Sequence, residues 1–117
     1  MMNVIEEHLA LQNALSRKCG VHSLDEHEAL VVTCLAGAQE FMEAIDFYKD
    51  KTKPWKAPSF DRHLIVEELI DVYHFLLQAW NILEVDSDEV DRVYKMKREK
   101  NFQRVKEKLN ESATGNK

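Results

Sequence analysis

Two pairs of acidic residues carry the first chemical signal: Glu40 with Glu43, and Glu68 with Asp71, each pair three residues apart. On a helix that spacing puts both carboxylates on one side. Four carboxylates converging from two antiparallel helices form an oxygen-rich, hard-ligand site of the kind that holds Mg²⁺ or Mn²⁺. At 100° per residue, Glu68 falls in the middle of an apolar arc of Leu64, Val72, Phe75 and Ala79, with Asp71 at its edge. A buried carboxylate without a partner is costly or becomes neutral. Glu68 therefore needs an Arg or Lys, a proton, or a metal ion. Glu40 and Glu43 border a polar arc with Gln39, Asp46 and Asp50, opposite Val31, Cys34, Ala38, Phe41 and Ile45, where they can equally be solvent-facing charges.

Further along, Lys97, Asn101 and Arg104 share one arc with Val90, Val93 and Tyr94, so an apolar stripe turns cationic and amide-bearing. An ammonium, an amide and a guanidinium along one edge suit the oxygens of a polyphosphate. The same side chains can instead snorkel over core edges or pair with acidic helices. The segment KTKPWK lies between the two carboxylate pairs and offers Lys53, Trp55 and Lys56 as a lid, although a loop tryptophan commonly does no more than staple its loop to the core. Nucleic acid is not the expected ligand. The basic segment lacks the interleaved aromatics of a stacking platform, and residues 24–91, with 16 acids against 5 bases, repel a phosphate backbone.

Four helices must position these groups. The first is expected from Asn3 to Lys18, ended by Gly20. Ser23, with Glu26 three residues on, has the form of a capping box opening a second helix from Leu24 to Lys49. The stretch DKTKPWKAPSF, residues 50–60, holds both prolines and no helical period, so it reads as a loop. A third helix covers Asp61 to Glu84, and Ser87, followed by Asp88 and Glu89, caps a fourth that runs to Leu109. Residues 110–117 are left as a frayed tail to a single domain of residues 1–109. The third helix is apolar nearly all round, which four helices in one small subunit struggle to cover. A second subunit is expected to do so, giving a homodimer or a dimer of dimers.

Composition agrees with an all-α chain. Of 117 residues 44% are apolar and 32% charged, with only 3 Gly and 2 Pro, which disfavours sandwiches, barrels, collagen and disorder. Cys19 and Cys34 form no framework or Cys-x-x-Cys motif, so a reducing, cytoplasmic setting is expected. The apolar runs fall far short of a membrane span, and a soluble protein with no membrane partner is expected. Residues 92–108 carry 8 bases against 2 acids, so an acidic middle is followed by a basic last helix.

Taken in order, Glu40 and Glu43, then Glu68 and Asp71, then K-x-x-x-N-x-x-R at Lys97, Asn101 and Arg104 resemble the all-α nucleoside triphosphate pyrophosphatase superfamily, to which MazG-like enzymes and dimeric dUTPases belong. EELIDVYHFLL at residues 67–77 resembles the third-helix signature of dimeric dUTPases, and KPWK at 53–56 their lid; the resemblance covers about residues 9–104. It implies a four-helix bundle of the MazG-like or dimeric dUTPase type, assembled as an oligomer, that hydrolyses a nucleoside triphosphate to the monophosphate and pyrophosphate. It further implies that Glu40, Glu43, Glu68 and Asp71 hold Mg²⁺, with Glu40 orienting or deprotonating the water. Lys56, Lys97, Asn101 and Arg104 would neutralise charge on the leaving pyrophosphate. Phe75 corresponds to the family's base-stacking position, with Trp55 covering the nucleotide and His74 contacting the base. The family's uracil-reading element, Q-x-x-L-N, has its counterpart in Gln12, Leu15 and Ser16, a hydroxyl standing where the amide would be. The preferred base stays open, with dUTP and dCTP as candidates. Passing directly from the third helix to the fourth is closer to the minimal MazG-like plan.

Two other classes compete. Asp71 and His74 make one carboxylate-x-x-His step, whereas di-iron bundles use two. A non-catalytic helical interaction module, in which the acids serve solubility, is the third.

Overall fold

The structure, a computed structural model, describes residues 2–20, 24–46 and 62–113. It has four helices, α1 (Val4–Lys18), α2 (Glu26–Asp46), α3 (Arg62–Ile82) and α4 (Ser87–Ala113), and no strand among the described residues. The chain is thus all-α. None of its helices is long and apolar enough to cross a membrane among the described residues.

The helix ends follow local chemistry. Asn3 caps α1, its Oδ1 accepting from the Glu6 amide at 2.8 Å. Beyond α1, Gly20 adopts a φ of 77°, the left-handed conformation that glycine reaches without a Cβ clash. At α2 the cap is Asp25, whose Oδ1 accepts from the Glu28 amide at 2.9 Å; the expected cap Ser23 lies outside the described residues. Likewise Asp86 Oδ1 accepts from the Glu89 amide at 2.9 Å, so the cap of α4 is Asp86, and Ser87 is already the first helical residue. Aspartate and serine cap about equally well, and each aspartate sits one or two residues from the serine that sequence singled out. Helix α3 ends at Ile82 rather than Glu84, which takes a φ of 57° and turns the chain toward Val85. Helix α4 continues through Ala113, four residues past the expected end at Leu109.

The chain divides into two compact units, Met1–Val85 and Asp86–Lys117, each described by itself. In the first, α2 lies along α3 and α1 meets α3 less extensively. Helices α2 and α3 run antiparallel, because contacts that step forward on one step backward on the other: Thr33 meets Gln78, Gly37 meets Phe75, and Glu40 meets Glu68 and Asp71. A Cβ added at Gly37 would lie 3.1 Å from the Phe75 Cβ. The missing side chain is what lets the two helices approach this closely, one turn from the carboxylates.

Among the described residues the buried apolar ones are few: Leu9, Ala29, Ala44, Leu77 and Ala79. A chain of buried polar groups ties the helices together. Gln12 Nε2 on α1 donates to Ser16 Oγ at 3.3 Å, Ser16 Oγ donates to Gln78 Oε1 on α3 at 2.9 Å, and Gln78 Nε2 donates to Thr33 Oγ1 on α2 at 2.7 Å. Every link is a buried pair, so the chain fixes the helices' register where apolar contacts would permit sliding. Helix α3 is not buried all round. Only Leu77, Gln78 and Ala79 are buried on it, while Leu64, Val66, Leu69, Ile70 and Leu76 remain exposed.

Candidate metal centre and adjoining pocket

The carboxylates meet where α2 and α3 lie together. One oxygen each from Glu40, Glu68 and Asp71 lies within 4.8 Å of the others. Glu40 and Glu68 are half-buried and Asp71 is exposed, so the cluster opens outward from the helix interface at Asp71. Glu68 Oε2 is buried and has no hydrogen-bond partner among the described residues. That oxygen is what the sequence anticipated in Glu68: an acceptor removed from water without a donor to satisfy it, an arrangement a cation or a proton relieves.

Glu40 shows the same tension. Its carboxyl is held above its ordinary value first by a hydrogen bond with Glu68, which the protonated form of Glu40 supplies. Burial and the negative charges of Glu68 and Asp71 act in the same direction, while a hydrogen bond with Glu43 acts against them. Glu43 stands outside the group of three and interacts with Glu40 and with Gln39, whose Nε2 lies 3.4 Å from Glu43 Oε1. Three of the four expected ligands therefore converge, and the fourth lies one helical turn away on α2.

The donor set is all oxygen. His74 Nδ1 is 3.8 Å from Asp71 Oδ1, but His74 does not belong to the group of three. Hard carboxylate ligands suit Mg²⁺ or Mn²⁺, and a di-iron site would need imidazoles that are not part of the cluster.

His74 also lines a pocket of about 250 Å³ between α1 and α3. Its apolar walls are Leu11, Leu15, Ile70 and Leu77, and His8, Gln12 and Tyr73 supply its other polar groups. Tyr73 Oη and His8 Nδ1 lie 3.0 Å apart with their rings edge to face, and burial pushes the Tyr73 phenol above its ordinary value. The volume is below the roughly 300–1,000 Å³ of drug-sized sites and suits a single ring system. Through Asp71 and His74 the carboxylate cluster and this pocket are neighbours on α3.

Two residues expected at a base site, Gln12 and His74, thus line one pocket. The expected Phe75 lies against Gly37 on the α2 side and is not among the pocket's lining residues. Ser16, the counterpart of the base-reading amide, is buried and committed to Gln78, which leaves Gln12 as the amide on the pocket wall. Lys53, Trp55 and Lys56 lie outside the described residues. On α4, Lys97 and Asn101 line an open groove with Tyr94, Arg98, Phe102 and Val105, and Arg104 is exposed on the same helix.

Sequence reasoning missed His8, Tyr73, Gly37 and the polar chain. Thr33 within VVTCLAGA and Gln78 within LLQAW are lone polar residues in apolar runs, and that was the available signal. Compared with known protein families, with curated proteins and with solved structures, the chain matches none.

Proposed function

We propose that the chain is a Mg²⁺-dependent nucleoside triphosphate pyrophosphohydrolase of the all-α, MazG-like and dimeric dUTPase-like kind, working in the cytoplasm as a homodimer or tetramer. The observation that carries the reading is the unpartnered buried Glu68 Oε2 set among the carboxylates of Glu40 and Asp71. Support comes from the ring-sized pocket that shares α3 with the cluster. The exposed, unpaired thiols of Cys19 and Cys34 suit a reducing compartment.

In this reading Glu40, Glu68 and Asp71 are the ion's direct ligands, with Glu43 close by. A bound Mg²⁺ or Mn²⁺ supplies charge neutralisation at the phosphates and acidifies a water. Glu40, whose carboxyl is held above its ordinary value by its carboxylate neighbours, is in its deprotonated form the group that accepts the water's proton. Attack by the water opens the phosphoanhydride link between the α- and β-phosphates, releasing the monophosphate and pyrophosphate. Lys97, Asn101 and Arg104, with Lys56, are the candidate contacts for the triphosphate oxygens. Gln12 and His74 orient the base in the pocket, with Trp55 and Phe75 as the aromatic contributors that the resemblance implies.

The test is release of monophosphate and pyrophosphate from a panel of deoxynucleoside and ribonucleoside triphosphates, dUTP and dCTP included, with Mg²⁺ and with EDTA. Turnover should require the cation and fall at least a hundredfold in Glu68→Gln, with helical content retained. Folded protein that binds Mg²⁺ yet turns over no nucleotide would refute the assignment and leave a binding module as the reading.

A further inference from the structure

Four buried polar side chains, Gln12 (7% exposed), Ser16 (3%), Gln78 (8%) and Thr33 (1%), form one hydrogen-bonded run from α1 through α3 to α2. The run has a direction. Ser16 has a single hydroxyl proton, and it goes to Gln78 Oε1 at 2.9 Å. Toward Gln12 the Ser16 oxygen can therefore only accept, so Gln12 turns its Nε2 inward to it, 3.3 Å away. At the far end Gln78 Nε2 donates to Thr33 Oγ1 at 2.7 Å. A threonine within a helix has the carbonyl one turn back to receive its own proton, which leaves its oxygen free to act as the acceptor.

That direction matters because Gln12 is also part of the wall of the pocket between α1 and α3. With Nε2 held inward, the amide's carbonyl oxygen is the end left for the pocket. Gln12 Oε1 has no hydrogen-bond partner among the described residues. Among the buried and half-buried residues described, only Glu68 Oε2 is both unpartnered and sealed from solvent, so Gln12 Oε1 reaches open space. Of the pocket's other polar groups, Tyr73 Oη and His8 Nδ1 face each other at 3.0 Å, and His74 Nδ1 lies 3.8 Å from Asp71 Oδ1. A carbonyl oxygen set among apolar walls selects a ring that brings an N–H to it. A ring edge bearing only acceptors would leave two acceptors facing each other away from water.

We propose that Gln78 is a positioning residue for ring selection: through Ser16 it holds the Gln12 carbonyl toward the pocket, which then takes a pyrimidine edge that donates an N–H and refuses one that only accepts. The pocket's volume of about 250 Å³ suits a single ring. Cytosine, through its amino group, and uracil, through its ring N–H, both meet the requirement. The inference rests on the nucleotide reading of the pocket but not on hydrolysis, because it concerns which ring binds and not what happens to the phosphates.

Calorimetric titration of the full chain with nucleoside monophosphates, the products of the proposed reaction, tests this without turnover. The probes are dUMP, dCMP and the deoxyribonucleotide of pyrimidin-2-one, a similar ring whose edge carries acceptors alone. Wild type should bind the better of dUMP and dCMP about tenfold or more tightly than the pyrimidin-2-one nucleotide. Gln78→Met releases the Ser16 proton and lets the Gln12 amide turn round, which should bring that ratio to within about threefold. Ser16→Ala, which cuts the same link one step nearer the pocket, should do likewise. Gln78→Glu keeps an oxygen to receive the Ser16 proton whether its carboxyl is neutral or charged, and should retain the wild-type ratio. In Gln12→Leu the preference should be absent, and adding Gln78→Met should change it no further, as expected of a residue acting through Gln12. Helical content is followed in every variant. A preference that survives Gln78→Met or Ser16→Ala in folded protein would overturn the proposal. So would equal binding of all three nucleotides, or of none, by the wild type. The expected ratios from a chain that hydrolyses no triphosphate would uphold ring selection and refute the hydrolase alone.

Discussion

Glu40 lies against the carboxylates of Glu68 and Asp71, and that crowding has a readable pH signature. In the folded chain Glu40 keeps its proton above its ordinary value of 4.5. The folded state therefore binds more protons than the unfolded state in the window just above 4.5, and stability of the metal-free protein falls as pH rises through it. In EDTA the urea midpoint should drop across this window, and Glu40→Gln should flatten the slope. Saturating Mg²⁺ should reverse its sign, because the cation binds the deprotonated carboxylates. The residue types at this site were legible because buried charge is conspicuous in an apolar arc. Which three of the four acids converge was not, since Glu40 and Glu43 differ only in which side of α2 each leans toward, and that depends on where α3 lies.

Helix by helix, periodicity and punctuation located all four elements, and the remaining errors are local. Two caps moved from serine to a neighbouring aspartate, and α4 outran its expected end because nothing in Asn110–Ala113 breaks a helix. What sequence did not reveal is how closely α2 approaches α3. That approach rests on Gly37, which looks in sequence like one small residue within AGA. In Gly37→Ala the new methyl would meet the Phe75 Cβ at 3.1 Å, an atom fixed to the backbone that can yield only if the helices part. Replacing a mid-helix glycine by alanine favours the helix by up to about 1 kcal/mol, which offsets the crowding. The thermal midpoint should therefore change by only a few degrees, while cation affinity falls about tenfold as Glu40 draws away from Glu68 and Asp71. Calorimetric titration of Mn²⁺ alongside thermal melts separates the two effects; equal affinity in both proteins would show that helix spacing does not set the site.

For the whole molecule, the apolar residues of α3 promised a deep core, yet much of that helix is exposed. Charge is segregated too, with acids on the helices that form the cluster and bases concentrated on α4. A fold with so few buried apolar residues among those described, yet a carboxylate oxygen held out of water without a partner, is spending stability on a cation site. The most direct test is Mn²⁺ binding by the nucleotide-free protein, followed by the electron spin resonance of the free ion, in wild type and Glu68→Gln. A saturable Mn²⁺ site is expected in the wild type and lost in Glu68→Gln, together with higher metal-free stability in that variant, because an amide that can donate replaces a buried carboxyl beside those of Glu40 and Asp71. Equal Mn²⁺ binding by the two proteins, or no saturable binding by either, would contradict it.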